Sequence, residues 1–135
     1  MNFIIIEAIP MLLQAICQAV ESKAGNKVVY SASSLQDLEA ALLEAQPDFL
    51  WLDTTFPEVR DGSAFRAIHR KFPDLKILLF GTGETVPEIR KYFKQGISAY
   101  LPKSARFDEM EAALACLEAG KLFVQHPSIW HLPVG

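Results

Sequence analysis

Residues 47–57 read PDFLWLDTTFP. From Phe49 to Leu52 the side chains are apolar without interruption, and the run is closed by the carboxylate of Asp53. A strand with one wet face would alternate polar and apolar residues; an unbroken run reads as a strand covered on both sides, as in a parallel sheet. The loop that follows, TTFPEVRDG, carries Pro57, Asp61 and Gly62, residues that favour non-regular backbone. The segment therefore delivers a carboxylate to the end of a buried strand and turns away from it.

The same pattern recurs on both sides of this stretch. Phe3–Ile6 is a β-branched apolar run ending at Glu7, and KVVYS (27–31), KILLF (76–80) and ISAYL (97–101) are further short strands. Between them lie helical spacings. Leu13, Ile16, Cys17 and Val20 recur on a helix from Pro10 to about Lys23, with the proline in the first turn, where its missing N–H costs little. Ser33 or Ser34 is expected to cap a helix carrying Leu35, Leu38, Ala41, Leu42 and Ala45. Ala64–Phe72 reads as a helix ended by Pro73, Thr85 as the cap of a helix running to Gly96, and Phe107–Ala119 as the last long helix, with Gly120 after it. Five strands thus alternate with five helices. Connections of that length demand right-handed crossovers, so the fold class is α/β, a doubly wound five-stranded parallel sheet between two helical layers. Residues 1–120 form the expected domain, and 121–135, KLFVQHPSIWHLPVG, an apolar C-terminal tail or linker stub.

Composition narrows the function classes. With 135 residues, 50% hydrophobic and 21% charged, the chain is one ordered domain rather than a disordered segment. A net charge of −3 provides no positive field for phosphates, so no nucleic acid is expected to bind this chain itself. Cys17 and Cys116 are too few and too far apart for a secreted disulfide framework, which points to a reducing cytoplasm. The start MNFIIIEAIPMLLQAI lacks a basic n-region, carries Glu7 and Pro10, and falls short of the roughly 20 residues that span a membrane.

In open α/β sheets the ligand sits beyond the carboxyl ends of the strands. Those ends are Glu7, Asp53, Gly81-Thr82 and, through Pro102, Lys103: two carboxylates, a hydroxyl and an amine brought to one edge. At this point the chain resembles the receiver domains of bacterial two-component response regulators, the CheY-like fold with strand order 2-1-3-4-5. PDFLWLDTTFP resembles the family's phosphoacceptor strand, which implies Asp53 as the phosphorylated aspartate and the Thr55 carbonyl as a magnesium ligand. SAYLPK (98–103) matches its switch aromatic, Tyr100, and its lysine, Lys103, and AALACLEAGKLFV (112–124) is similar to receivers that precede a LuxR-type DNA-binding domain.

The resemblance implies a phosphorelay acceptor loaded by a sensor histidine kinase, with Mg²⁺ held by Glu7, Asp53 and Thr55 and an output domain or partner such as a transcriptional regulator. It also implies homodimer contacts through the fourth helix, fifth strand and fifth helix, or through the first and fifth helices. Three departures stand against the pattern. Ala8 occupies the place of a second acid, so the metal site is expected to be weak. Gly81 occupies the place of a Ser or Thr that hydrogen-bonds the phosphoryl group, leaving Thr82 as the candidate for that role, one residue late and by strand alternation first aimed away, to be recovered by a rearrangement of the loop around Gly81 and Gly83. PEVRDG holds one residue more than usual before Gly62. A phosphorylation-independent pseudo-receiver, working as an interaction module, is therefore the rival expectation, and Glu7 is open between weak metal ligand and ion-pair partner of Lys103. No enzymatic set of base, nucleophile and oxyanion donors can be assembled. His69, His126 and His131 lack ligand spacing, and GTGE (81–84) lacks the third glycine or lysine of a nucleotide loop.

Overall fold

The computed structural model describes residues 1–126 in full and the backbone of residues 129–134. In chain order the elements are β1 (Asn2–Ile6), α1 (Pro10–Glu21), β2 (Lys27–Ala32), α2 (Leu38–Ala45), β3 (Phe49–Asp53), α3 (Pro57–Arg60), α4 (Ser63–Lys71), β4 (Lys76–Gly81), α5 (Val86–Lys94), β5 (Ala99–Pro102), α6 (Phe107–Glu118), β6 (Leu122–His126) and β7 (Ile129–Val134). The sheet runs β2-β1-β3-β4-β5-β6-β7; its first five members stand in the expected order and are parallel.

The unbroken apolar runs are explained by how the sheet uses them. Because side chains alternate across a strand, each run feeds two cores at once. Ile4, Ile6, Leu50, Leu52, Ile77 and Leu79 face the layer of α2, α3, α4 and α5, packing on Leu42, Val59, Phe65 and Tyr92. Phe3, Ile5, Phe49, Trp51, Leu78 and Phe80 face α1 and α6, packing on Ile16, Val20, Ala113 and Leu117. Every residue of β3 is buried, Asp53 included. Cys17 and Cys116 are free thiols on the α1 and α6 side, and burial pushes the Cys17 thiol up.

Three local readings are corrected. The helix expected to start at Ser33 or Ser34 begins only at Leu38: the Leu38 amide donates to the Leu35 carbonyl at 3.2 Å, so a turn intervenes, although Leu35 still packs on the core. The loop after β3 is not wholly irregular. Pro57 starts a single helical turn, α3, because its fixed φ suits a first turn and Val59 is drawn fully into the core. Finally, the stretch expected as tail or linker stub supplies two more strands. β6 pairs parallel to β5 through Ala99–Phe123 and Tyr100–Val124, and β7 returns antiparallel. Phe123 is buried against α1 and α6, Val124 against the opposite layer, so β6 covers what would otherwise be the open edge of β5. The extra turn α3 shifts helix numbering: the expected fourth and fifth helices are α5 and α6. Among the described residues, no helix is long and apolar enough to cross a membrane.

Candidate functional site

The four strand ends are held together by backbone before any side chain is considered. Beyond the ladders, the Glu7 amide donates to the Ala32 carbonyl (3.1 Å), Thr54 to Phe80 (3.1 Å) and Lys103 to Gly81 (2.8 Å). These bonds extend the sheet by one residue at each end and set Glu7, Asp53 and Lys103 side by side.

Lys103 closes the group. Its ammonium lies 2.9 Å from Asp53 Oδ1 and 3.1 Å from Glu7 Oε2, and donates to Thr55 Oγ1 at 3.4 Å. Asp53 also accepts from the backbone amides of Ala8 (2.9 Å, to Oδ2) and Thr55 (2.8 Å, to Oδ1). Both carboxylates are fully buried. Burial alone raises a carboxyl, yet the Lys103 ammonium and the two amides outweigh it and hold Asp53 down at about 2. Glu7 goes the other way. Burial, with Asp53 close by, lifts it above the usual carboxylate value against the lowering from the Ile9 amide and Lys103. The pocket therefore pairs an ionised Asp53 with a Glu7 that resists ionisation.

A divalent ion finds part of what it needs here. Mg²⁺ is held through one or two carboxylates with a carbonyl and several waters. Among the described residues, Glu7 Oε1 is buried and has no hydrogen-bond partner. Asp53 is the second carboxylate, Ala8 supplies only its amide, and Lys103 already neutralises the pair. The donor set fits a weak site.

Gly81 and Glu84 form a second cluster, which lines one cavity with Tyr100 and Lys103. A Cβ at Gly81 would lie 1.8 Å from Glu84 Oε1 and 2.8 Å from both Thr54 Oγ1 and the Tyr100 hydroxyl. That space is taken by the buried Glu84 carboxylate, whose Oε1 accepts from Tyr100 (2.7 Å) and Thr54 (3.0 Å) and whose Oε2 pairs with Arg60 at 3.0 Å. Arg60 comes from α3, which the Tyr92 hydroxyl pins by donating to the Arg60 carbonyl at 2.6 Å. Tyr100 is 1% exposed, and burial together with Glu84 raises its hydroxyl far above the ordinary phenol value.

The structure thus brings Glu7, Asp53, Thr55 and Lys103 into one pocket and sets Tyr100 inward beside it. Thr82, one residue past β4, is exposed; it lines one cavity with Gly81, Glu84, Tyr100 and Lys103, and its carbonyl accepts from Arg60 at 3.4 Å. Glu84 and Arg60 escaped sequence reasoning. The signals for them were an acid three residues after a side-chain-free strand end, and an arginine in a loop one residue longer than usual.

Comparison with known proteins agrees with this geometry. Residues 3–115 match the family model of the response regulator receiver domain. The response regulator GacA of Pseudomonas aeruginosa is 27% identical over 100 residues, 74% of this chain and 47% of that protein, so the chain spans about half the length of such relatives. Among solved structures, the isolated receiver domain of RcsB from Salmonella enterica serovar Typhimurium, in the presence of phosphomimetic BeF3⁻, superposes with a TM-score of 0.83 at 24% identity over 93% of this chain and 94% of that one. A LuxR-family two-component response regulator from Aurantimonas sp. SI85-9A1 gives 0.82 at 24% identity, covering 95% and 91%.

Proposed function

From the premise that the chain belongs to the response regulator receiver domain family, we propose that Asp53 is its phosphoacceptor and Lys103 the cation that receives the phosphoryl charge. Response regulator receivers act in two-component signal transduction, and the matched relatives are response regulators and transcriptional regulators. The phosphorylation-independent interaction module is not favoured by these matches.

The observation that carries the reading is the 2.9 Å contact between Lys103 and a fully buried, ionised Asp53. A carboxylate held at about 2 is available as a nucleophile at neutral pH. Its oxygen attacks the phosphorus of a phosphohistidine on a sensor histidine kinase; an O–P bond forms, the P–N bond breaks and the released imidazole takes a proton from water. The Ala8 and Thr55 amides hold the carboxylate in one orientation, and the ammonium, a compact point charge, turns from Asp53 to the new phosphoryl oxygens. Glu7, Asp53 and the Thr55 carbonyl are the residues that would hold Mg²⁺, which when bound neutralises crowded phosphoryl oxygens. With Ala8 giving no oxygen, that affinity is low. The unit is a cytoplasmic receiver of residues 1–120 extended by the strands within 121–135. Its α5–β5–α6 face serves the output domain, partner or second copy.

Incubating the protein with a small phosphodonor and Mg²⁺ and reading its intact mass tests this. A gain of one phosphoryl group that Asp53→Asn abolishes is expected. No gain, with the protein folded, overturns phosphoacceptance.

A further inference from the structure

We infer that Glu84, paired with Arg60, is a built-in anion that fills the space beside Gly81 and holds Tyr100 inward whatever the state of Asp53. Glu84 is thereby a positioning residue for the surface around β5. The inference rests on the reading of Tyr100 as the residue that reports the pocket to that surface.

A buried carboxylate is costly unless it is paired and hydrogen-bonded. Glu84 is 0% exposed at its side chain, and its partners come from three separate places: Thr54 at the end of β3, Arg60 on α3 and Tyr100 on β5. Such a set does not assemble without a matching vacancy. Gly81 is that vacancy, since any side chain there would place its first carbon 1.8 Å from Glu84 Oε1. The glycine and the glutamate are two halves of one arrangement: one residue gives up its side chain and another, three positions on, sends a carboxylate into the gap.

The cluster's partners are also distinct from those of the phosphoacceptor, although Lys103 lines the same cavity as Glu84 and Tyr100. Asp53 is bound by Lys103 and the Ala8 and Thr55 amides, Glu84 by Thr54, Tyr100 and Arg60, with no residue in common. Asp53, the last residue of β3, and Thr54, the next one, divide the labour, because successive side chains point to opposite faces: Asp53 meets Lys103 and Thr54 meets Glu84. The Tyr100 hydroxyl donates to Glu84, and no hydrogen bond of the described residues runs from it to Asp53 or Lys103. The ring is set before the site is loaded.

Incorporating 3-fluorotyrosine and following the Tyr100 ¹⁹F resonance, assigned with Tyr100→Phe, tests the inference. The buried resonance should keep its position in the native protein and in Asp53→Asn. In Glu84→Leu, which preserves bulk but removes both acceptor oxygens, it should be lost to the position of solvent-exposed fluorotyrosine. Glu84→Gln, which retains an acceptor at the same reach, should restore it; a merely space-filling role would make Leu and Gln alike. A resonance unmoved in folded Glu84→Leu, or moved as far by Asp53→Asn, overturns the inference. If Glu84→Leu does not fold by circular dichroism, the Asp53→Asn result decides alone. Intact mass after phosphodonor treatment separately reports phosphoacceptance, so failure there removes the Asp53 reading and leaves the Tyr100 result standing.

Discussion

The Lys103 ammonium sits between Asp53 and Glu7, 2.9 Å from one carboxylate and 3.1 Å from the other, with both carboxylates out of water. One cation thus serves two buried acids whose proton affinities are driven apart, Asp53 downward and Glu7 upward. Removing it leaves two acids facing each other with no counter-charge, and breaking a buried pair from one side costs roughly 3–5 kcal/mol. Lys103→Ala should therefore lower the urea midpoint clearly, while Lys103→Ala/Asp53→Asn, which leaves a single acid, should recover part of the loss. Equal loss in the single and double variants would contradict this coupling.

The acid limb of stability should carry the signature of Asp53. Its folded value of about 2 lies below the 3.8 of an unpartnered aspartate, so the unfolded chain takes up its proton first as pH falls. The contribution is full above the unfolded value and lost as pH drops through the folded one. The gap is worth on the order of 2 kcal/mol. Glu7 has the opposite sign: its raised value contributes stability at low pH that fades as pH rises through its folded pKa. Denaturation of the native protein and of Asp53→Asn between pH 5 and about pH 2 should show the native protein losing more. Parallel curves would mean that Asp53 is not held below its unfolded value.

Metal affinity should respond to one added oxygen. Ala8 offers its amide to Asp53, and among the described residues Glu7 Oε1 stands without a partner. Ala8→Asp adds the carboxylate that the donor set lacks, and calorimetric titration with Mg²⁺ should find binding at least about tenfold tighter, roughly 1.4 kcal/mol. Unchanged affinity would show that Lys103, rather than the missing oxygen, limits the site.

A side chain at Gly81 has to displace the Glu84 carboxylate. Gly81→Ser should cost about 1–3 kcal/mol through overpacking, and adding Glu84→Ala should relieve much of it, because the serine hydroxyl then occupies the space the carboxylate left. A double-mutant cycle by chemical denaturation measures the coupling. Additive losses would mean that the two positions do not compete for the same space.

Much of this was legible before the structure, and the boundary is instructive. Apolar runs such as Phe49–Leu52 announce strands buried on both faces, and their alternation with helical spacings announces the parallel sheet. Strand ends announce the pocket because a charge closing such a run needs a partner. Glu84 was invisible for the opposite reason: GTGE looks like an ordinary polar loop, and only the packing of Gly81 against Tyr100 shows that the acid is drawn inside. Thr82 shows how one position matters. Shifted by one residue, a hydroxyl that strand alternation would have aimed inward stands exposed.

The stretch from residue 121 gives the last test. Its apolar character was plain, but its pairing partner was not, since a strand that joins β5 in parallel leaves no local mark in the sequence. Phe123 is 1% exposed and Val124 7%, on opposite faces of the sheet. Ending the chain after Gly120 removes both and uncovers the β5 edge at Ala99 and Tyr100. Deleting one buried phenylalanine alone costs about 3–5 kcal/mol, so the shortened protein should unfold at markedly lower urea. Its bare edge should also promote self-association by strand pairing, visible as larger species in size-exclusion chromatography. If the chain ending at Gly120 matched the full chain in both measurements, β6 would be a passive appendage and the receiver would close at β5.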